Sequence, residues 1–147
     1  MAVSAKLYGN FVKNLLDKKI DFNSDTIKLA LCTSSYTPDQ DAHEFMDDIT
    51  NEVSDSGTNY TTGGNTIANS SITYTGATNI CKIDGDDVTF TNVTLTARYG
   101  IIYDSTPGSA ATNPLIAYID FGSDQSPAGV DFICSFNADG IATFTVA

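Results

Sequence analysis

The chain has 147 residues and a formal net charge of −11, with only seven Lys and Arg residues. This length suits one domain that buries an ordinary hydrophobic core. The acidic balance argues against recognition of nucleic acid through phosphate contacts, which need a basic face. The chain has no apolar run of about eighteen residues that would cross a bilayer, and its N-terminus does not resemble a secretory signal. We therefore expect a protein made in a cytoplasm that binds neither nucleic acid nor membrane.

Residues 4–18 carry the pattern of an amphipathic helix. Leu7, Phe11 and Leu15 recur every fourth residue, so a helix places them on one face. Three further residues widen this apolar stripe: Tyr8, Val12 and Leu16. The sequence therefore predicts an N-terminal helix that either covers one side of its own sheet or docks on a neighbouring subunit.

The rest of the chain is predicted to be β, apart from a short helical turn near Phe45 and a long exposed loop over residues 52–64. Segments rich in Thr, Ile and Val, punctuated by Gly, Asn and Asp, are typical of strands. Eight such segments cover residues 26–32, 66–74, 80–83, 88–96, 99–103, 115–119, 130–136 and 141–146. The predicted fold class is mainly β, an antiparallel β-sandwich or barrel-like domain of about eight strands with one N-terminal amphipathic helix. Residues 1–20 form the helix or arm, and residues 21–147 form a single β domain.

Three further details of these strands follow from their residue patterns. Residues 99–103 and 115–119 contain no charged side chain. We therefore expect both faces of each strand to be covered and the pair to lie in the middle of a sheet. The buried phase shifts within residues 88–96, which predicts either a bulge near residues 91–92 or a break into two strands. The short polar turn at residues 137–140 predicts a hairpin between the last two strands.

Few residue types in the chain suggest catalytic or metal chemistry. His43 is the one histidine, and a triad would also need a nucleophile and an orienting acid beside it. Cys32, Cys81 and Cys134 are odd in number and lack the spacing of zinc ligands. We interpret all three as buried strand residues. The sequence therefore predicts no enzyme, no catalytic residue, no metal ligand and no cofactor.

Carboxylates cluster over residues 39–48 and again at Asp84, Asp86 and Asp87. Oxygen ligands on a turn are what Ca²⁺ prefers, but the twelve-residue loop with a closing Glu is missing. Asp84 followed by glycine is also an ordinary turn sequence. We predict a turn at this position, and the sequence leaves Ca²⁺ binding by these three aspartates open.

A carbohydrate-binding β module is a remote alternative. Such modules usually display exposed aromatic platforms, and the candidates here are Tyr36 and Tyr60, which lie in predicted loops. Trp is absent. This alternative predicts a glycan affinity that substitution of either tyrosine abolishes.

Five passages span most of the chain after Ile20. They are DTIKLALCTSSYTPDQDAHEF at 25–45, YTTGGNTIANSSITY at 60–74, DDVTFTNVTLTARYGIIYDS at 86–105, NPLIAYIDFGSDQS at 113–126 and NADGIATFTVA at 137–147. Together, and in this order, they resemble a family of small virion structural proteins of tailed bacteriophages. The resemblance implies a non-enzymatic virion component present in many copies.

We expect a capsid decoration or cement protein that binds the outside of the major capsid lattice and stabilises the head. The alternative within the virion is a tail, neck or fibre subunit. The expected partners are the major capsid protein or other virion subunits, and assembly into a homo-oligomer is left open.

The first candidate interface is the N-terminal helix, because four of the seven basic residues lie in the first nineteen residues. The second is the loop over residues 37–48. If the helix is the docking element, deletion of residues 1–19 should leave a folded domain that no longer joins particles. The candidate contact residues are Lys6, Leu7, Lys13, Lys18, Lys19, Asp39, His43 and Glu44.

Overall fold

The computed structural model describes residues 2–146, which form a mainly β domain with antiparallel strand pairs. The elements are β1 (Ser4–Leu7), α1 (Asn10–Leu16), β2 (Ile27–Cys32), a 3₁₀ turn (Met46–Asp48), β3 (Asn65–Thr66), β4 (Ser71–Thr75), β5 (Ile80–Asp84), β6 (Val88–Thr94), β7 (Ala97–Asp104), β8 (Leu115–Gln125), β9 (Ala128–Cys134) and β10 (Ala142–Thr145). The predicted fold class is confirmed, with ten strands where about eight were expected. Within the described residues, no helix is long and apolar enough to cross a membrane.

The strands form three sheets. The largest has five strands in the order β1-β8-β7-β2-β3, and the others have the orders β10-β5-β4 and β6-β9. Strand β7 is central, since Gly100 pairs with Leu31 of β2 on one side and with Ile119 of β8 on the other. The prediction that residues 99–103 and 115–119 lie in the middle of a sheet is therefore confirmed.

Both faces of this five-stranded sheet are covered. Leu29, Leu31 and Ile102 belong to the larger hydrophobic core, which also contains buried residues of α1, β5, β6 and β9. Ala30 and Ile101 belong to a second core on the alternating positions of the same strands, because successive side chains of a strand point to opposite faces. The second core includes Tyr36 and packs against residues 46 and 49, so the segment after β2 covers that face.

The predicted helix over residues 4–18 is wrong at its start. Ser4–Leu7 is a strand that pairs with β8, and the amide of Tyr8 extends this pairing by donating to the carbonyl oxygen of Ile116 at 3.0 Å. Backbone pairing with the edge of β8 therefore determines the structure of residues 4–7, although their side chains follow a helical periodicity. Tyr8 and Phe11 are both buried, so we now expect deletion of residues 1–19 to unfold the domain.

The predicted hairpin between the last two strands is also wrong. The turn exists, because the amide of Gly140 donates to the carbonyl oxygen of Asn137 at 2.8 Å. After this turn the chain does not return along β9. Strand β10 pairs with β5 instead. The amide of Ile141 begins this pairing by donating to the carbonyl oxygen of Ile83.

The bulge in β6 is confirmed. The β6 and β9 register shifts between Phe90 and Val93. Asn92 adopts a φ of 51°, and its amide donates to the Asp131 carboxylate at 2.8 Å instead of to the strand ladder. The predicted strand over residues 66–74 is divided into β3 and β4. Asn69, which lies between them, also has a positive φ, of 52°.

Gly64 provides a test of the contact between the loop of residues 52–64 and β2. Its φ is +72°, and a Cβ atom there would collide with the carbonyl oxygen of Leu29. Gly64→Ala should therefore lower the free energy of unfolding by more than about 3 kcal/mol, measured by chemical denaturation. Gly57 is the matched control, since its φ is +73° but nothing lies within 4 Å of the added atom. Gly57→Ala should cost only about 1 kcal/mol, and equal losses for the two variants would contradict the packing argument.

Candidate partner-binding surface

The two interface elements expected from the sequence lie side by side. The amide of Gly9 donates to the carbonyl oxygen of Gln40 at 2.8 Å, and the Gln40 side-chain amide donates to the carbonyl oxygen of Leu7 at 2.8 Å. The start of α1 is thereby fixed to the loop over residues 37–48. We call the exposed side chains of residues 6–19 and 39–44 the N-terminal surface.

Glu44 joins this loop to the helix. Its carboxylate accepts a hydrogen bond from the Asn14 side-chain amide at 3.3 Å, and the Lys19 ammonium lies 4.0 Å from the same oxygen. The Lys19 ammonium also lies 5.7 Å from the centre of the Phe45 ring. Asn14 is fully buried, so this contact anchors the loop from beneath the surface. Glu44 and Lys19 therefore shape the N-terminal surface as well as contributing charge to it.

The exposed part of α1 is both apolar and basic. Leu16 is 77% exposed and Val12 is 40% exposed, and their spacing of four residues places them on one side of the helix. The helical pattern placed both residues on the apolar stripe with Leu7, Phe11 and Leu15, and the reading of that stripe as cover for the sheet is wrong for these two residues. Lys13 lies next to them and forms an ion pair with Asp17 at 3.2 Å.

The remaining predicted contact residues of this segment differ in exposure. Lys6 is exposed on the edge strand β1, whereas Leu7 is half-buried and packs against the larger core. Lys18 is exposed just after α1, with a φ of 59°. Lys6 and Lys18 are thus exposed to solvent, whereas Leu7 serves mainly in folding.

His43 and Asp39 organise the loop. The Nδ1 atom of His43 accepts the Asp39 amide at 3.3 Å and lies 2.9 Å from the Tyr36 hydroxyl, which lies 2.8 Å from the hydroxyl of Tyr8. The Asp39 carboxylate accepts the amides of residues 41 and 42, and these bonds lower the pKa of Asp39. This chain of bonds connects the loop to the second core.

The three aspartates considered for Ca²⁺ each bind a different protein group. Asp84 forms an ion pair with Lys82 at 2.8 Å, which lowers the pKa of Asp84. Asp86 accepts a hydrogen bond from the Asn69 side-chain amide at 2.6 Å, and Asp87 accepts the amide of residue 136 at 2.8 Å. Within residues 2–146, no group of three or more His, Cys, Asp or Glu side chains is placed to hold a metal ion.

The three cysteines are free thiols in strands β2, β5 and β9. Cys32 and Cys134 are buried as predicted, and burial raises the pKa of each thiol to about 12. Cys81 is only half-buried, so the prediction is wrong for this residue. Cys81 pairs with Tyr74 of β4, which is 59% exposed, so this end of the three-stranded sheet is partly open to solvent.

Tyr36 and Tyr60 are buried, so neither can serve as the exposed aromatic platform that the carbohydrate-binding alternative requires. Burial and the nearby Glu52 carboxylate raise the pKa of Tyr60. Its hydroxyl donates to Glu52 at 2.6 Å and accepts the amide of Leu31 at 3.0 Å. The loops that contain these residues fold back onto the sheet, which loop composition did not reveal.

The comparisons with known proteins give no family for the chain. No protein-family model, no curated protein and no solved structure matches it.

The buried hydroxyl of Tyr60 gives a second test. Tyr60→Phe leaves the Leu31 amide without its acceptor and removes one donor from Glu52, so we expect the free energy of unfolding to fall by about 2 kcal/mol. Tyr74 is the matched control, because it is exposed and its hydroxyl binds Asn79 at 3.0 Å. Tyr74→Phe should change stability by less than about 0.5 kcal/mol. Similar denaturation midpoints for the two variants would contradict the structural role of Tyr60.

Proposed function

We propose that this chain is a structural protein of a tailed bacteriophage virion, specifically a capsid decoration protein that binds the outside of the major capsid lattice. The five passages that resemble small virion proteins support this proposal. So does a β domain with antiparallel strands, which presents stable surfaces to a partner. In this role the protein stabilises the head and carries out no reaction.

The observation that carries the proposal is the chemistry of the N-terminal surface. Leu16 and Val12 are exposed on α1, with Lys13 between them and Lys18 just beyond the helix. An apolar patch bordered by charge is typical of a protein-binding surface. Residues 6–19 carry four lysines and one aspartate, whereas residues 39–44 carry three carboxylates. The complementary partner surface therefore has an apolar centre, acidic groups opposite the helix segment and basic groups opposite the loop.

The fixed shape of this surface suits docking onto a lattice. The Gln40 side chain donates to the Leu7 carbonyl oxygen of β1, and the Glu44 carboxylate accepts a hydrogen bond from Asn14 of α1, so the loop is held in place before any partner arrives. Pre-organisation lowers the entropy cost of binding. A single contact can be weak, because many copies on one shell act together. Contacts that bridge neighbouring capsomers oppose their separation when packaged DNA pushes outward.

Copy number in purified particles tests the proposed location. A decoration protein should be present in hundreds of copies, at a ratio to the major capsid protein near one or a simple fraction of it. Quantitative mass spectrometry of particles measures this ratio. A ratio of a few per cent would place the protein in the neck, tail or fibres, and absence from particles would reject the virion proposal.

Substitution of Leu16 tests the proposed surface. Leu16→Asp places a charge at the centre of the apolar patch, and we expect at least about tenfold weaker binding to particles that lack the protein. Because Leu16 is 77% exposed, the variant should keep the wild-type melting temperature.

Val146→Asp is the control for this experiment. Val146 is 56% exposed and follows β10, away from α1 in the chain. The control adds the same charge and should bind particles as wild type does. Wild-type binding by Leu16→Asp would move the interface to another surface without affecting the copy-number result.

A further inference from the structure

The sheets around the larger core leave a gap between β1 and β9. Strand β1 is the outer strand of the five-stranded sheet, and β9 has β6 as its one neighbour among the described strands. At the other end of the five-stranded sheet, β3 lies against β6, because the Asn65 side-chain amide donates to the carbonyl oxygen of Thr89 at 2.8 Å. Two clefts of about 360 Å³ and about 240 Å³ occupy the gap, and both are lined by Val3, Ile119 and Ser135. We call these two clefts together the β1–β9 seam.

The backbone edge of β1 faces the seam. The amide of Tyr8 donates to Ile116 of β8, and in an antiparallel pair the residues bond alternately to one side and to the other. Ser4 and Lys6 therefore bond towards β8, whereas the amide and carbonyl oxygen of Ala5 point to the open edge. The carbonyl oxygen of Leu7 has the same direction, since it accepts the Gln40 side chain from outside the sheet.

The edge of β9 borders the seam from the opposite side. Residues 132–135 all line the smaller cleft. Successive side chains of a strand point to opposite faces, so four consecutive lining residues require that the strand edge itself lies along the cleft. An added strand in the seam would thus lie between two edges that have no other strand partner within residues 2–146.

The seam is the open side of the larger core. Its apolar residues Ile119, Phe121 and Phe132 pack against that core but are only half-buried. At its rim, Val3 is 66% exposed and Ile133 is 55% exposed. Among the described residues, no Asp, Glu, Lys, Arg or His lines either cleft, although 17% of the chain is charged. An occupant of the seam therefore needs uncharged, apolar side chains.

We propose that the β1–β9 seam binds one extended, uncharged segment of another protein as an additional strand. The open edge of Ala5 supplies main-chain hydrogen bonds, and the apolar clefts receive every second side chain of the segment. Valine and isoleucine suit these positions, because branched side chains pack well on a sheet. This site is distinct from the N-terminal surface, since Lys6 points to the opposite face of β1 from Val3 and Ala5. It does not depend on the function proposed above.

The charges and the short edge favour another protein over a second copy of this chain. Each copy carries a net charge of −11, so two copies repel each other. Strand β1 has four residues and carries Lys6, and both a short edge strand and an edge lysine oppose pairing between identical chains. The Gln40 side chain also occupies the carbonyl oxygen of Leu7, which shortens the edge that a second β1 could use.

Binding of a designed peptide tests the proposed strand pairing. The probe is a capped peptide of alternating Val and Thr with one Lys at each end, and the measurement is amide hydrogen exchange by NMR. We expect saturating peptide to slow exchange of the Ala5 amide at least about tenfold. The same peptide with N-methylated backbone amides keeps the side chains but cannot donate hydrogen bonds, so it should not protect Ala5. Equal protection by the two peptides, or none by the first, would overturn the proposal.

Val3→Asp tests the position of the site. It places a charge in the uncharged seam, and we expect at least about tenfold weaker binding of the Val and Thr peptide in an NMR titration. Because Val3 is 66% exposed, the variant should keep the wild-type melting temperature. Val146→Asp is the matched control, since Val146 is 56% exposed and does not line the seam. Equal affinities of the two variants would overturn the proposal.

Sedimentation equilibrium of the wild-type protein tests the alternative occupant. We expect a monomer in the absence of peptide. A dimer that Val3→Asp dissociates would overturn the proposal, because a second copy would then fill the seam. These measurements use no virus particles, so their outcome is separate from the copy-number test of the proposed function.

Discussion

The burial of β7 on both faces is the constraint on which the rest of the structure depends. Ile101 and Ile102 point to opposite sides, and each belongs to a hydrophobic core. The flanking strands satisfy the backbone of β7, so only its side chains need cover. The smaller sheets and α1 cover one face, and the segment after β2 covers the other. Gly100 shows how close this packing is, since an added Cβ atom would lie 3.1 Å from the Leu29 side chain and 3.3 Å from the Phe121 ring.

The candidate surface results from the way the segment after β2 covers the second core. Tyr36 fills the second core, and its hydroxyl holds His43 in the loop above. Tyr8 occupies the same core, which brings the N-terminal segment to that loop. Buried tyrosines therefore bring the lysine-containing segment around α1 and the acidic loop together, and Lys19 forms an ion pair with Glu44 between them. A change in the core should alter the surface, whereas a change in an exposed lysine should leave the core intact.

The sequence predicted the features that depend on nearby residues. The uncharged centres of β7 and β8 and the phase shift before Asn92 were sufficient to locate the middle of the sheet and the bulge. The pairing of Ser4–Leu7 with β8 was missed, because the free edge of β8 lies more than a hundred residues away in the chain. The same limitation hid the pairing of β10 with β5. On the candidate surface, the lysines were found from composition, but the exposure of Leu16 depends on which side of α1 faces the core, and periodicity alone does not establish that.

The clustered acidic residues have structural roles, because their carboxylates bind backbone amides of the protein itself. Asp39 and Asp48 each accept two backbone amides in the loop, and these bonds lower the pKa of both groups. Groups with a lowered pKa stabilise the fold above the unfolded value of about 3.9 and lose this effect as the pH falls through the folded pKa. Asp104 has a raised pKa and the opposite dependence. The loop that carries the candidate surface should therefore be weakened by acid, whereas the junction of β2 and β7 should be weakened as the pH rises. The two regions respond in opposite directions because burial raises the pKa of Asp104, whereas backbone amide donors lower the pKa of Asp39 and Asp48.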